Sequence, residues 1–119
     1  MKYVVEGKKL IIPEGITSIG FHDIYAYLKD DSIEEVVLPN SLEIIGDDTF
    51  FDYQKLKKIN IPKNVKIIGT QAFWGLDALE ELTIYDTISS IGKHAFCNCF
   101  ELKLTIVGNG HSIPQNWDP

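Results

Sequence analysis

The chain has 119 residues, 45% of them hydrophobic, and sets 17 acidic against 11 basic residues for a net charge of -6. That size holds one core and leaves no room for a separate catalytic domain. Every basic residue is Lys, so the bidentate guanidinium fork that dominates phosphate and base recognition is missing and the acidic sum repels a polyanion; nucleic acid is not an expected partner.

No charged start followed by an apolar stretch and a small-residue cleavage site follows Met1, so no secretory signal is expected. The longest apolar runs, such as Leu10-Ile11-Ile12, are only a few residues, far short of a bilayer span, so no membrane insertion is expected. The chain reads either as cytosolic or as part of a longer exported protein. From Tyr3 to Leu10 the order strand, turn, strand, with Gly7 at the turn, predicts a hairpin cap over residues 1–9.

Residues 10–107 repeat. Gly46, Gly69 and Gly92 are spaced 23 apart, as are Phe50, Phe73 and Phe96, and Leu56, Leu79 and Leu102. A fixed period in this range with apolar residues at set positions predicts a solenoid. Each copy opens with a short strand: Leu10-Ile11-Ile12-Pro13, Val36-Val37-Leu38-Pro39, Ile59-Asn60-Ile61-Pro62 and Leu82-Thr83-Ile84-Tyr85. Its alternation is that of a half-buried strand, and Pro suits the strand's end, where a missing amide donor costs least. A second apolar pair follows (Ile16 and Ile19, Leu42 and Ile45, Val65 and Ile68, Ile88 and Ile91), expected to form the opposite wall. The glycine after each pair is expected to take a backbone angle that other residues resist. Then come Ala26-Tyr27, Thr49-Phe50, Ala72-Phe73 and Ala95-Phe96, whose aromatics are expected to stack into one continuous spine. The first copy has three extra residues between Gly20 and Ala26 and the last lacks one, irregularities expected at the ends of a stack. The tail, 108–119, is turn-rich, with Trp117 expected to fold back over the last coil.

The outward residue preceding each strand alternates in sign, Lys9, Glu35, Lys58, Glu81 and Lys103, and Lys8, Glu34, Lys57 and Glu80 repeat the pattern. Parallel stacking would make these columns a charge ladder that fixes register. Val37 belongs to a neighbouring column, Ile11, Val37, Asn60, Thr83 and Thr105, apolar at the front and polar behind. On the next wall Ile44 and Ile67 fill outward slots held by Ser18 and Ser90 in the outer copies, a modest apolar patch able to seat a partner. Ile44, Ile67, Val37, Glu35, Lys58 and Glu81 are therefore the candidate partner-binding residues.

Asp23, Asp30, Asp31, Asp47, Asp48 and Asp52 crowd one end without EF-hand spacing and read as solvated surface. His94, Cys97 and Cys99 come nearest to a metal cluster, but structural zinc needs four ligands and His111 would have to return from the tail. Cys97 and Cys99, the only cysteines, are too close in sequence to suggest a mutual disulfide. No nucleophile, base and orienting acid recur at a recognisable spacing, and no glycine loop suits a phosphate. No cofactor, metal or catalytic residue is expected.

The units Ile59-Asn60-Ile61-Pro62, Val65 to Gly69, and Ala72-Phe73 to Leu79, with Cys99 in the cysteine slot that Asp30, Tyr53 and Leu76 hold in earlier copies, resemble the BspA-like leucine-rich repeat family. The resemblance covers about residues 10 to 107, and Ile113 to Pro119 is similar to the segment that follows the last repeat in that family. It implies a bacterial, often cell-surface, protein using its solenoid for adhesion or protein binding. The expected fold is thus an α/β solenoid: a short right-handed leucine-rich repeat stack of four coils, with a parallel β-sheet wall, turns or short helices opposite, and the N-terminal hairpin cap, all in one domain, 1–119. The expected function is non-catalytic binding of a protein or peptide. The alternative is structural self-assembly as a homo-oligomer, by dimerisation or end-to-end stacking.

Overall fold

Short strands separated by tight turns wind the chain into four stacked coils. The computed structural model describes residues 2–108, so the tail beyond Gly108, including Trp117 and His111, lies outside the described residues. The hairpin forms as expected: β1 (Val4–Glu6) pairs antiparallel with β2 (Lys9–Ile11) around Gly7, whose φ of 61° is the left-handed turn that glycine tolerates best. β2 is also the first strand of coil 1. It pairs in parallel with β4 (Glu35–Val37), which pairs with β6 (Lys58–Ile59). The corresponding strands of coil 4 and beyond, β8 (Glu81–Tyr85) and β10 (Lys103–Val107), form a separate two-stranded parallel sheet.

The wall is therefore two sheets rather than the single expected one. Strand length follows proline: β4 and β6 run into Pro39 and Pro62, whereas β8 has Tyr85 in that slot and continues for five residues beside an equally proline-free β10.

A second wall is also a sheet. β3 (Ser18–Ile19), β5 (Ile44–Ile45), β7 (Ile67–Ile68) and β9 (Ser90–Ile91) stack in parallel without a break. Turns or helices are the expectation opposite the first wall; instead two residues per coil, an isoleucine among them in every copy, form a strand because a neighbouring coil supplies the partner. The third wall consists of turns in coils 2–4. There left-handed residues recur in two slots, Asp48, Gln71 and His94, then Asp52, Gly75 and Asn98.

Coil 1 departs from this plan. Its three extra residues allow a helix, α1 (Phe21–Leu28), whose Ile24 and Leu28, four residues apart, are buried on one face. The Asp23 carboxylate accepts a 2.7 Å hydrogen bond from the Gly20 amide at the helix start. Ala26 is exposed, and Tyr27, half-buried at the margin of the core, stacks on Tyr3 at 5.5 Å. The spine consequently has three members rather than four: Phe50 on Phe73 at 5.2 Å and Phe73 on Phe96 at 5.4 Å.

Gly46, Gly69 and Gly92 do not have positive φ, contrary to expectation. Close approach explains the last two. A Cβ on Gly69 would stand 2.5 Å from the Asp47 nitrogen, and one on Gly92 would strike the Thr70 nitrogen closer still; at Gly46 the nearest atom, the Ile19 oxygen, is 3.2 Å away. Each glycine amide donates to the preceding coil, at 2.8, 2.8 and 2.7 Å. Glycine is needed here because backbone lies on backbone.

Candidate binding surface

Register places the sequence-derived candidates in two groups on two walls. On the second wall Ile44 faces Ile67 directly, with Ser18 and Ser90 at the ends of the row. The two isoleucines are 37% and 38% exposed while the alternate residues, Ile45 and Ile68, are fully buried. They form the small apolar patch the spacing implied.

On the first wall, Lys9, Glu35 and Lys58 are register partners, and Val37 sits half-buried beside Ile11. Glu34 is the best-connected charge, with Lys8 Nζ at 3.2 Å and Lys57 Nζ at 3.3 Å. Those two lysines hold its carboxyl below the usual carboxylate range. Lys58 reaches Glu35 only at 4.0 Å. Further along, Lys103 and Glu81 are again register partners.

The ladder breaks between Lys58 and Glu81. At each closed step of this wall the carbonyl just before the strand receives amides from the next coil. Lys8 O accepts from Glu34 N and Glu35 N at 2.8 and 3.1 Å, Glu34 O from Lys57 N and Lys58 N at 2.8 and 3.2 Å, and Glu80 O from Lys103 N at 2.8 Å. Among the described residues no such bond joins Glu80 or Glu81 to Lys57, and β6 is not paired with β8. A cleft of ≈ 610 Å³ opens there instead, lined by Lys57 to Ile61 on one lip and by Glu80 to Thr83 and Tyr85 on the other. The expectation that every charge lies between two opposite neighbours fails at this step.

Coils 3 and 4 remain joined elsewhere. On the second wall Gly92 N donates to Ile68 O at 2.7 Å, and on the third Phe73 N donates to Ala95 O and Gly75 N to Cys97 O at 2.8 and 2.9 Å. The opening is therefore a wedge, closed on two walls and parted on one. Near the C-terminal end of the strands Lys63 of coil 3 places its ammonium 5.7 Å from the Tyr85 ring of coil 4. Asn60 lines the cleft while its amide bonds to coil 2: it accepts from Leu38 N at 2.8 Å and donates to Leu38 O at 3.0 Å, standing in for a strand pairing there. Sequence reasoning identified Lys58 and Glu81 but not that they face each other across a gap, nor the roles of Asn60 and Tyr85. Tyr85 in place of proline was the legible signal of the longer strand β8, not of the gap.

Phe51 and Trp74 stack on each other at 4.6 Å, and Phe51 lines a depression of ≈ 470 Å³ together with Phe21, His22, Asp47, Asp48 and Gln71. Among the described residues no three His, Cys, Asp or Glu side chains stand together as a metal site. His94 is half-buried with Nδ1 unbonded, and Cys99 donates its thiol to Phe73 O at 2.8 Å. Burial pushes the Cys99 thiol up, against the opposing pull of the Leu76 and Gly75 amides.

A stack of similar coils, each contributing one strand to a parallel wall, with an aromatic spine through coils 2 to 4, defines a solenoid repeat protein, with side chains displayed in columns. The BspA type leucine rich repeat region matches residues 23–116 in six copies, and the chain belongs to that family. Among solved structures, a leucine-rich repeat protein from Bacteroides ovatus is similar at 32% identity with a TM-score of 0.71, over 84% of this chain and 25% of that one. The leucine rich repeat protein of T. pallidum shares the fold at 19% identity and a TM-score of 0.66, over 81% of this chain and 56% of that one. The chain thus spans a quarter of the first and just over half of the second. No curated protein matches it. Membership of a leucine-rich repeat family suggests a protein-interaction repeat module.

Proposed function

We propose that this chain is a non-catalytic binding module that recognises a protein through its first wall, with the Ile44 and Ile67 patch as a second contact. The observation that carries this reading is the parted wall. Most of a solenoid's strand edges are consumed by its own stacking, yet here one step leaves a cleft with lysines on one lip and glutamates on the other. Charge of both signs at a concave site favours selection of a complementary partner over tight nonspecific adherence. The test is capture on the immobilised chain, comparing wild type with Ile44→Glu/Ile67→Glu and with Glu81→Lys. A specific partner is expected to be lost from at least one variant that keeps the wild-type melting temperature; a partner retained by all of them removes both surfaces. Adhesion at a cell surface is the more specific form of this reading, and protease shaving of intact producing cells tests it: protection of the chain would end it.

A second reading is end-to-end assembly. Phe100 is 81% exposed and Ile106 and Val107 are also open at the coil 4 end. Mass that rises with concentration in sedimentation equilibrium supports assembly, and a constant monomer mass rejects it.

A further inference from the structure

We propose that the cleft between β6 and β8 takes an extended peptide strand, which enters as an added strand and completes the first wall by main-chain hydrogen bonds. This rests on the binding function proposed above and specifies its mode.

The argument begins with the open edges. Lys57 O, which by the wall's own pattern accepts amides from the next coil, receives none from Glu80 or Glu81 among the described residues. The facing edges of β6 and β8 are thus both without a ladder partner on the cleft side. Unpaired strand edges are templates for another strand, and here two of them face a single space. Adding a strand needs two steps of about 4.8 Å where the stack ordinarily has one. The parted step is where this wall would widen to take it without breaking the second wall, where β7 and β9 stay paired. The lip from Lys57 to Ile61 accommodates about five residues, or roughly 16 Å, of extended chain.

The lining also states what the strand must carry. Ile59, Ile61 and Leu82 line the cleft, so the ligand residues that meet them should be apolar. Its outward residues would lie between Lys58 and Glu81. A charged side chain there gains one neighbour and is repelled by the other, whereas an amide or hydroxyl accepts from the ammonium and donates to the carboxylate. The ligand is therefore an extended segment alternating apolar residues with uncharged polar ones.

The probe is an acetylated and amidated Gln-Ile-Thr-Ile-Gln peptide, followed by amide NMR on the full chain. Shifts and slowed exchange at Ile59, Glu81, Leu82 and Thr83 are expected. The same peptide N-methylated at alternate residues should bind at least about tenfold more weakly, because main-chain bonds are removed while side chains are kept. Equal binding by the two peptides, shifts confined to the Ile44 and Ile67 strands, or no binding overturns the proposal. A second measurement uses Lys58→Cys/Glu81→Cys in a Cys97→Ala/Cys99→Ala background. Slow disulfide formation is expected across an open cleft, and rapid quantitative oxidation of the free chain would mean that the wall is closed in solution. If a captured protein binds wild type undisturbed by the peptide, the binding function survives and the cleft mode falls.

Discussion

Alanine at Gly46, Gly69 and Gly92 tests whether coil separation or backbone angle sets the glycine requirement. At Gly69 the added Cβ stands 2.5 Å from Asp47 N, roughly 1 Å inside an ordinary nonbonded contact. Relief by moving the coils apart would stretch the 2.8 Å bond from Gly69 N to Ile45 O beyond hydrogen-bonding range. The expected cost joins about 1–3 kcal/mol of overpacking to about 1 kcal/mol for the weakened bond, less about 0.4–1 kcal/mol gained by restricting the unfolded chain. The net loss for Gly69→Ala is thus about 1–3.6 kcal/mol. Gly92→Ala should cost at least as much, since its Cβ meets backbone closer still. Gly46→Ala, with 3.2 Å to its nearest atom, should stay within about 1 kcal/mol of wild type. Urea unfolding followed by circular dichroism measures the series. Equal losses at all three positions would refute the argument, because the repeat treats them alike and only the inter-coil distances distinguish them.

Tyr53 is buried with its hydroxyl unbonded, and burial pushes its pKa up to about 12. The folded state therefore holds this proton more tightly than the unfolded chain, and the associated stability is present below pH 10 and lost as pH rises toward about 12. Tyr53→Phe should gain about 1 kcal/mol at neutral pH and lessen the alkaline decline, as urea midpoints on both sides of pH 10 would reveal. Asn60→Ala removes both partners of the Leu38 backbone groups and should cost about 1–3 kcal/mol, while Asn60→Asp keeps the acceptor and should cost less; identical unfolding curves would deny the amide its strand-like role. Glu34, held acidic by its two lysines, contributes stability above its unfolded pKa that is lost as pH falls through its lowered folded pKa. Glu34→Gln should therefore reduce the unfolding midpoint at neutral pH, and the difference should vanish in acid and in about 1 M salt, where the screening length is ~3 Å; a difference that persists in both would rule out the ion pairs as its source.

The period placed nearly every core residue, because buried positions in a stack must recur with the coil: Leu56, Leu79, Phe50 and Phe73 are buried where the spacing put them. It also gave the in-register neighbours Lys9, Glu35 and Lys58, and Ile44 with Ile67. A period says which residues are stacked but not how far apart the coils stand. The parted step between Lys58 and Glu81 and the close approach at Gly69 depend on that distance, so neither was legible. Coil 1 misled for a different reason. Its extra residues shifted the comparison onto Tyr27, whereas helical spacing makes Ile24 and Leu28 the buried pair.

Coil 1 also gives the repeat a direction of inheritance. The outer edge of β2 is occupied by the antiparallel β1, and α1 spends its backbone bonds internally, so a further coil has no matching surface to meet on that side. Duplication of a 23-residue segment can be absorbed among coils 2 to 4, where the second wall presents the same bonds to each neighbour. Length variation in such chains should accumulate on the side away from the hairpin, leaving the segment from β1 through α1 as the fixed point from which the rest is counted.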